Sequence, residues 1–347
     1  MQAQRPVGGL TRGAGAVFAG RHGGEATVVL SFRRPVGPAS PRVNVLTLLL
    51  TLVLAGCAGA DPALSCATPV RVATVPLDVI SSLPTVQATI SGASVRLLLD
   101  TGAARSLLGS AAVQRLGLRR DRFAGERVAG VGGGVSAALN AITGTIVLGG
   151  AELDQPEMAV APVNIPVDGL LGADFWLRYD ADLDLPHRRL TLYEASPCPR
   201  AAAPWRGPSV RLQGFEDAPP NRLLLPILLD GIEARAAFDT GAQASSVALR
   251  LAARFPPPPG GWQAVHVRGV NGAARVLPAR RFARLQIGEL VYADWLMPVL
   301  PLPPGPIEAL VGEDLLHGCR TWFSFRARQV FVAAAPGDVL ACRRSGP

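Results

Sequence analysis

Two stretches of the chain have the hydrophobic pattern of a β-hairpin that ends in an acidic turn. In the first, Thr85 to Ile90 alternates apolar and polar positions, a Ser-Gly-Ala turn follows, and Val95 to Leu99 is mostly apolar. The pattern returns from Leu223 and ends in a second apolar run at Phe238. Period-two alternation, a glycine turn and an apolar run predict two paired strands, of which the second is buried.

Further short strands are predicted along both halves of the chain, and little helix. Ser110 to Leu118 has a short helical pattern, and Glu126 to Leu139 indicates a strand, a glycine-rich tip and a strand. The other predicted strands of the first half are Thr143 to Leu148, Glu157 to Val163, Leu183 to Leu185 and Arg189 to Tyr193. Many closely spaced strands favour an all-β protein with two lobes.

The chain also repeats itself at a nearly constant offset, which indicates a duplicated unit. From Asp100 to Asp239 is 139 residues, and later pairs are 139 or 140 residues apart. These pairs are Gly130-Val131-Gly132 with Gly269-Val270-Asn271, Leu148-Gly149 with Ile287-Gly288, Leu170-Leu171-Gly172 with Leu310-Val311-Gly312, and Thr191-Leu192 with Phe331-Val332. We therefore predict lobe 1 at residues 70–198, a proline-rich linker at 199–221 and lobe 2 at 222–342.

Composition and charge narrow the class of protein. At 347 residues with 49% hydrophobic residues, the chain can bury the cores of two domains. The net charge is +8, but residues 1–42 hold six arginines against one glutamate, so only three of these charges belong to the rest. Without a basic arm or an arginine patch interleaved with aromatics, no nucleic-acid partner is expected.

Residues 45–55 form an almost unbroken apolar stretch that ends in Leu54-Ala55-Gly56-Cys57. Eleven residues are too few to span a bilayer, which takes about 20, but they suit the core of a signal peptide. The ending resembles a bacterial lipobox, so we expect 1–57 to be an N-terminal extension and lipoprotein signal, with lipid on Cys57. The expected location is the cell envelope, on the periplasmic side of the outer membrane. An ordinary secretory signal with a coincidental cysteine is the alternative.

Four cysteines remain, Cys66, Cys198, Cys319 and Cys342. An even number in an exported chain suggests disulfides, and four cysteines allow three pairings. Because Cys66 and Cys198 flank the first lobe and the other two lie near the end of the second, we favour Cys66 with Cys198 and Cys319 with Cys342. Free buried thiols are the alternative. Metal binding is not expected, because no Cys-x-x-Cys or paired histidine accompanies them.

The candidate chemistry lies in the turn Asp-Thr-Gly-Ala, which follows both apolar runs. It comprises Asp100, Thr101, Gly102 and Ala103 in the first copy, and Asp239, Thr240, Gly241 and Ala242 in the second. Each turn puts a carboxylate at the end of a buried strand, beside a hydroxyl and a glycine that lets another backbone approach. A site that holds two carboxylates together needs this arrangement.

With the glycine-rich hairpins and the repeated Leu-Leu-Gly motif, these turns resemble the retropepsin and pepsin superfamily of aspartic peptidases over residues 75–335. Alanine after each Asp-Thr-Gly and a glycine-rich segment in both copies look more like two retropepsin subunits fused into one chain. The resemblance implies two closed β-barrel lobes with a cleft between them, and cross-lobe hydrogen bonds of Thr101 and Thr240 beneath the two aspartates. It also implies mobile flaps over the substrate, with Gly130, Val131, Gly132, Gly133, Gly269, Val270, Asn271 and Gly272 at their tips.

The function implied is an aspartic endopeptidase with Asp100 and Asp239 as the catalytic pair. Two carboxylates this close share one proton, so one activates a water and the other protonates the peptide carbonyl. This chemistry requires no cofactor or metal, the substrate is a polypeptide, and a monomer suffices because both aspartates belong to one chain. The alternative is a peptide-binding protein that keeps the fold without activity.

Other repeated polar residues have structural interpretations. Asp174 and Asp314, 140 residues apart, each open an apolar helical run, where an acid is favoured by the helix dipole. Ser106, Ser245 and Ser246 lie near the acidic turns but lack a matched histidine, which makes them hydrogen-bonding core residues rather than nucleophiles.

Overall fold

The computed structural model describes residues 68–129, 135–268 and 274–333, which belong to one compact unit of the chain. Strands dominate these residues, and the described helices are four single-turn or two-turn elements. No helix in these ranges is long and apolar enough to cross a membrane. The predicted all-β class is confirmed.

The strands of the first half are β1 (Arg71–Pro76), β2 (Asp78–Ile80), β3 (Leu83–Ile90), β4 (Ala93–Leu99), β5 (Leu107–Gly109), β6 (Arg120–Ala129), β7 (Val135–Ile142), β8 (Thr145–Leu148), β9 (Ala151–Asp154), β10 (Glu157–Ala161), β11 (Gly169–Leu171), β12 (Tyr179–Asp184) and β13 (Arg189–Glu194). Those of the second half are β14 (Val210–Gln213), β15 (Leu224–Leu229), β16 (Ile232–Phe238), β17 (Ser246–Ala248), β18 (Gln263–Arg268), β19 (Ala274–Ile287), β20 (Leu290–Leu300), β21 (Ala309–Val311), β22 (Arg320–Ser324) and β23 (Gln329–Val332). The helices are α1 (Ser110–Arg115), α2 (Ala173–Trp176), α3 (Leu249–Ala252) and α4 (Glu313–Leu316).

Lobe 2 is a closed barrel. Its strands follow the order β15-β16-β21-β17-β20-β19, and β19 pairs back onto β15, so the ring has six strands. Closure leaves no edge strand in this ring that another chain could extend. The remaining strand, β18, pairs with β19 outside the ring.

Lobe 1 has the same strand order with two strands interrupted. The order is β3-β4-β11-β5-β10-β7, and β8 pairs with β3 where β19 pairs with β15 in lobe 2. Residues 143–144 separate β7 from β8, and residues 155–156 separate β9 from β10, whereas β19 and β20 are continuous. The interrupted strands stay joined because Thr143 and Gly144 both donate backbone hydrogen bonds to the Pro156 carbonyl.

A third sheet of six strands joins the lobes, in the order β1-β13-β12-β22-β23-β14. The first three strands come from lobe 1, β22 and β23 come from lobe 2, and β14 comes from the segment between the lobes. β12 pairs with β22 at the centre. Across this seam Arg320 donates to both carboxylate oxygens of the buried Asp182, at 2.8 and 2.5 Å. Strand β14 lies within the segment predicted as the linker, so part of that segment is a structural strand.

The apolar core continues beneath both acidic turns. Trp176 of α2 packs edge-on against Phe323 of β22, with 5.2 Å between ring centroids. Phe238, the residue before Asp239, packs on the same Phe323 ring at 5.6 Å. Aromatic pairs of this geometry add to the burial energy, so the support under the turns is shared between the lobes.

Cys198 and Cys319 are each disulfide-bonded. Cys66 and Cys342 lie outside the described residues, as do residues 1–57 with Cys57, so the pairing and the lipidated cysteine stay predictions.

Candidate active site

Each acidic turn is fixed by the strand that runs parallel to its own strand. β4 pairs with β11 and β16 with β21, in register up to the last residue of each strand. The backbone N–H of Asp100 then donates to Leu171 O at 3.0 Å, and that of Asp239 donates to Val311 O at 2.9 Å. The repeated Leu-Leu-Gly and Leu-Val-Gly motifs therefore position the aspartates.

The two turns are bound to each other by reciprocal threonine hydrogen bonds. Thr101 Oγ1 donates to Phe238 O and Thr240 Oγ1 donates to Leu99 O, both at 2.7 Å. In return the backbone N–H of each threonine donates to the hydroxyl of the other, at 3.2 Å to Thr240 Oγ1 and 3.0 Å to Thr101 Oγ1. Both side chains are buried, so these bonds are protected from water.

Above the threonines the two carboxyl groups lie close enough for each to act on the pKa of the other. Asp100 and Asp239 are buried, with 7% and 8% of their surfaces exposed. The N–H of Ala103 donates to Asp100 Oδ1 at 2.8 Å, and that of Gly241 donates to Asp239 Oδ1 at 3.0 Å. Each carboxyl group therefore has one fixed oxygen within its own turn.

Burial raises the pKa of both carboxyl groups. The pKa of Asp239 is raised further by the charge of Asp100, whereas backbone hydrogen bonds within its own turn lower the pKa of Asp100. Two interacting carboxyl groups lose their protons in two successive steps, and the pKa of each step is a property of the pair rather than of one residue. Over the interval between these steps the pair holds one proton and one negative charge.

The family model of aspartyl proteases matches the chain twice, at residues 86–175 and 225–315, together just over half of its length. The chain belongs to the aspartyl protease family. This confirms the resemblance drawn from the two turns, and each match contains one Asp-Thr-Gly turn. No curated protein matches the chain.

In this aspartyl protease family member, Asp174 and Asp314 each accept hydrogen bonds from the serine that follows the acidic turn of their lobe. Asp314 Oδ1 accepts from the N–H of Ser245 at 2.8 Å and from its hydroxyl at 2.7 Å. Ser245 Oγ in turn accepts from the N–H of Gly312 at 2.9 Å. Ser106, Asp174 and Gly172 repeat this network in lobe 1. Both serines are completely buried and both acids are engaged, which is the structural role expected from the sequence.

Arg222 was not predicted from the sequence as a site residue. Its half-buried side chain lies close enough to the pair that its charge lowers the pKa of both Asp100 and Asp239. Its Nη1 donates to Asn221 O at 3.0 Å. The residue 139 positions earlier is Leu83, so this break in the repeat was the available signal. The two halves of the site are therefore electrostatically different.

The predicted flap tips, Gly130, Val131, Gly132, Gly133, Gly269, Val270, Asn271 and Gly272, lie outside the described residues. The strands that lead to them are present, as β6 with β7 and β18 with β19. Within the described ranges, no group of three or more histidine, cysteine or acidic residues could hold a metal ion.

Proposed function

We propose that this protein is an aspartic endopeptidase in which Asp100 and Asp239 activate a water molecule against a peptide bond. The observation that supports this most directly is the pair itself. One buried carboxyl comes from each lobe, and the cross-lobe threonine bonds hold the two face to face. The burial of two adjacent carboxyl groups is energetically unfavourable, and such an arrangement is typical of a catalytic site.

The different surroundings of the two aspartates support a division of roles between them. The charge of Asp100 raises the pKa of Asp239 and so favours the protonated form of Asp239, which leaves Asp100 as the ionised member of the pair. The oxygen of the water bonds to the peptide carbonyl carbon while Asp100 accepts a proton from the water. At the same time Asp239 gives its proton to the carbonyl oxygen. In the second step the carbonyl reforms, the C–N bond breaks and a proton passes to the leaving nitrogen. All protons come from the water and the pair.

The substrate is a polypeptide and one chain forms a complete site, since both aspartates belong to it. We also propose that the protein is anchored through lipid on Cys57 in the bacterial envelope. The mass and N-terminal sequence of the membrane fraction test this location. A mature chain that begins well upstream of Cys57, or a Cys57→Ser variant that remains membrane-bound, would contradict it.

Activity is tested by the cleavage of a denatured protein over a range of pH, with wild type, Asp100→Asn and Asp239→Asn, with and without a statine-type inhibitor. We expect cleavage by the wild type alone, inhibited by the statine. Asp230→Asn is the control, because Asp230 is exposed in the β15–β16 turn and an amide oxygen can still accept from the Arg284 N–H. Equal cleavage by the wild type and both dyad variants would refute the proposal. No cleavage, with peptide binding that the statine displaces, would favour the inactive peptide-binding alternative.

A further inference from the structure

Glu313 is a completely buried acid attached to the Asp239 turn. It is the first residue of α4, and its N–H donates to Ala242 O at 2.8 Å. Its side chain is 0% exposed, and neither of its carboxyl oxygens has a hydrogen-bond partner. A buried carboxylate without a donor is very unfavourable, so the group is held as the neutral acid.

The charged groups that act on Glu313 are acidic. These are Asp239, in the turn after β16, and Asp314, the next residue of α4, and both lie close enough for their charges to act on Glu313. On β20, Tyr292 and Trp295 lie near Asp314. Burial, followed by the charges of Asp239 and Asp314, raises the pKa of Glu313 well above its ordinary value. Burial also raises the pKa of Asp314.

Within the described residues, lobe 1 has no acid at the position that corresponds to Glu313. The residue that corresponds to Glu313 is Ala173, which is buried and apolar. Asp174 beside it accepts from Gln155 Nε2 at 3.0 Å, and Arg105 Nε lies 3.9 Å from the same carboxylate oxygen. Among the described residues, the adjacent acids Glu313 and Asp314 therefore have no counterpart in lobe 1, where an alanine precedes Asp174.

We propose that Glu313 is a pH switch for lobe 2: with its proton it lets α4 pack under the Asp239 turn, and its ionisation at rising pH loosens that turn. Asp239 is then no longer held in position opposite Asp100. The catalytic consequence rests on the proposed function, whereas the effect on folding does not.

The linkage between proton binding and folding determines the direction in which pH changes the stability. A group whose pKa is higher in the folded than in the unfolded chain binds more protons when folded. Its contribution to stability is complete below the unfolded value and is lost as the pH rises through the folded value. The ionisation of Glu313 therefore lowers the stability of the folded chain as the pH rises from mildly acidic values.

The test compares the thermal and urea unfolding of wild type and Glu313→Gln between about pH 4 and about pH 8. Glutamine has the shape of the protonated acid and cannot ionise. As the pH rises, we expect the unfolding constant of the wild type to increase relative to the variant by up to about tenfold per pH unit, with the smallest difference at the acidic end. Glu289→Gln, in the exposed β19–β20 turn, removes the same charge and should follow the wild type.

Parallel pH dependence of wild type and Glu313→Gln would overturn the proposal. If the glutamine variant does not fold at any pH, Glu313→Ala provides the same comparison, because it copies Ala173. The measurement needs no substrate, so its failure and that of the peptidase assignment are separate results. If the chain cleaves, Glu313→Gln should also retain activity after incubation at a pH that inactivates the wild type.

Discussion

Gly102 lies directly against the carboxyl group of Asp239. A Cβ atom at Gly102 would fall 2.2 Å from Asp239 Cγ, and one at Gly241 would fall 2.3 Å from Asp100 Cγ. Each turn thus leaves room for the acid of the other lobe only because it lacks a side chain there. The two carboxyl groups can face each other for this reason.

Gly102→Ala and Gly241→Ala should each abolish cleavage, because the added methyl group would push the opposing carboxylate out of position. The measurement is kcat/KM on a denatured protein, with circular dichroism to establish folding. Gly260→Ala is the control, since nothing lies within 4 Å of a Cβ there, although its positive φ costs about 1 kcal/mol. A folded Gly102→Ala variant with normal activity would show that the turns do not meet this closely.

Thr240→Val should lower the free energy of unfolding by about 1–3 kcal/mol. The change keeps the shape of the side chain but leaves Leu99 O and the Thr101 N–H without their buried partner. Urea unfolding of Thr101→Val, Thr240→Val and the double variant measures this. We expect the losses to be non-additive, because both residues belong to one network. Thr145→Val, on an exposed position of β8, should change little.

Arg222→Leu, which copies Leu83, should move the pH–activity profile to higher pH. The Arg222 charge lowers the pKa of both Asp100 and Asp239, so its removal raises both. Ionised Asp100 then appears at higher pH and protonated Asp239 persists to higher pH, so both limbs shift by up to about one pH unit. The profile of kcat/KM measures this, with the exposed Arg284→Leu as the control. An unmoved profile would mean that Arg222 does not act on the pair.

Arg320→Ala should destabilise the sheet that joins the lobes by about 3 kcal/mol, since it leaves the buried Asp182 without its bidentate partner. Arg281→Ala is the matched control, because its partner Asp294 is 74% exposed and such pairs contribute less than about 1 kcal/mol. Unfolding free energies from urea titration distinguish them. Equal losses would show that the seam pair is no stronger than a surface pair.

Local patterns predicted the hairpins that deliver the aspartates. The predicted strands Thr85–Ile90 and Val95–Leu99 fall within β3 and β4, because alternation and a turn with Gly92 at positive φ are properties of neighbouring residues. The predicted helix from Ser110 ends at Arg115, three residues earlier than expected. Strand β14 was missed among the linker prolines, since only its pairing with β23 makes it a strand.

The sequence by itself determined that there are two similar all-β halves, each with an acidic turn after a buried strand, because periodicity, turn residues and the repeat are written along the chain. Only the tertiary structure decided that the two turns meet, that the threonines bind across the lobes, and that Arg222 and Glu313 make the halves unequal. These features depend on contacts between residues far apart in sequence. Charge and burial at such contacts have no local pattern from which they could be predicted.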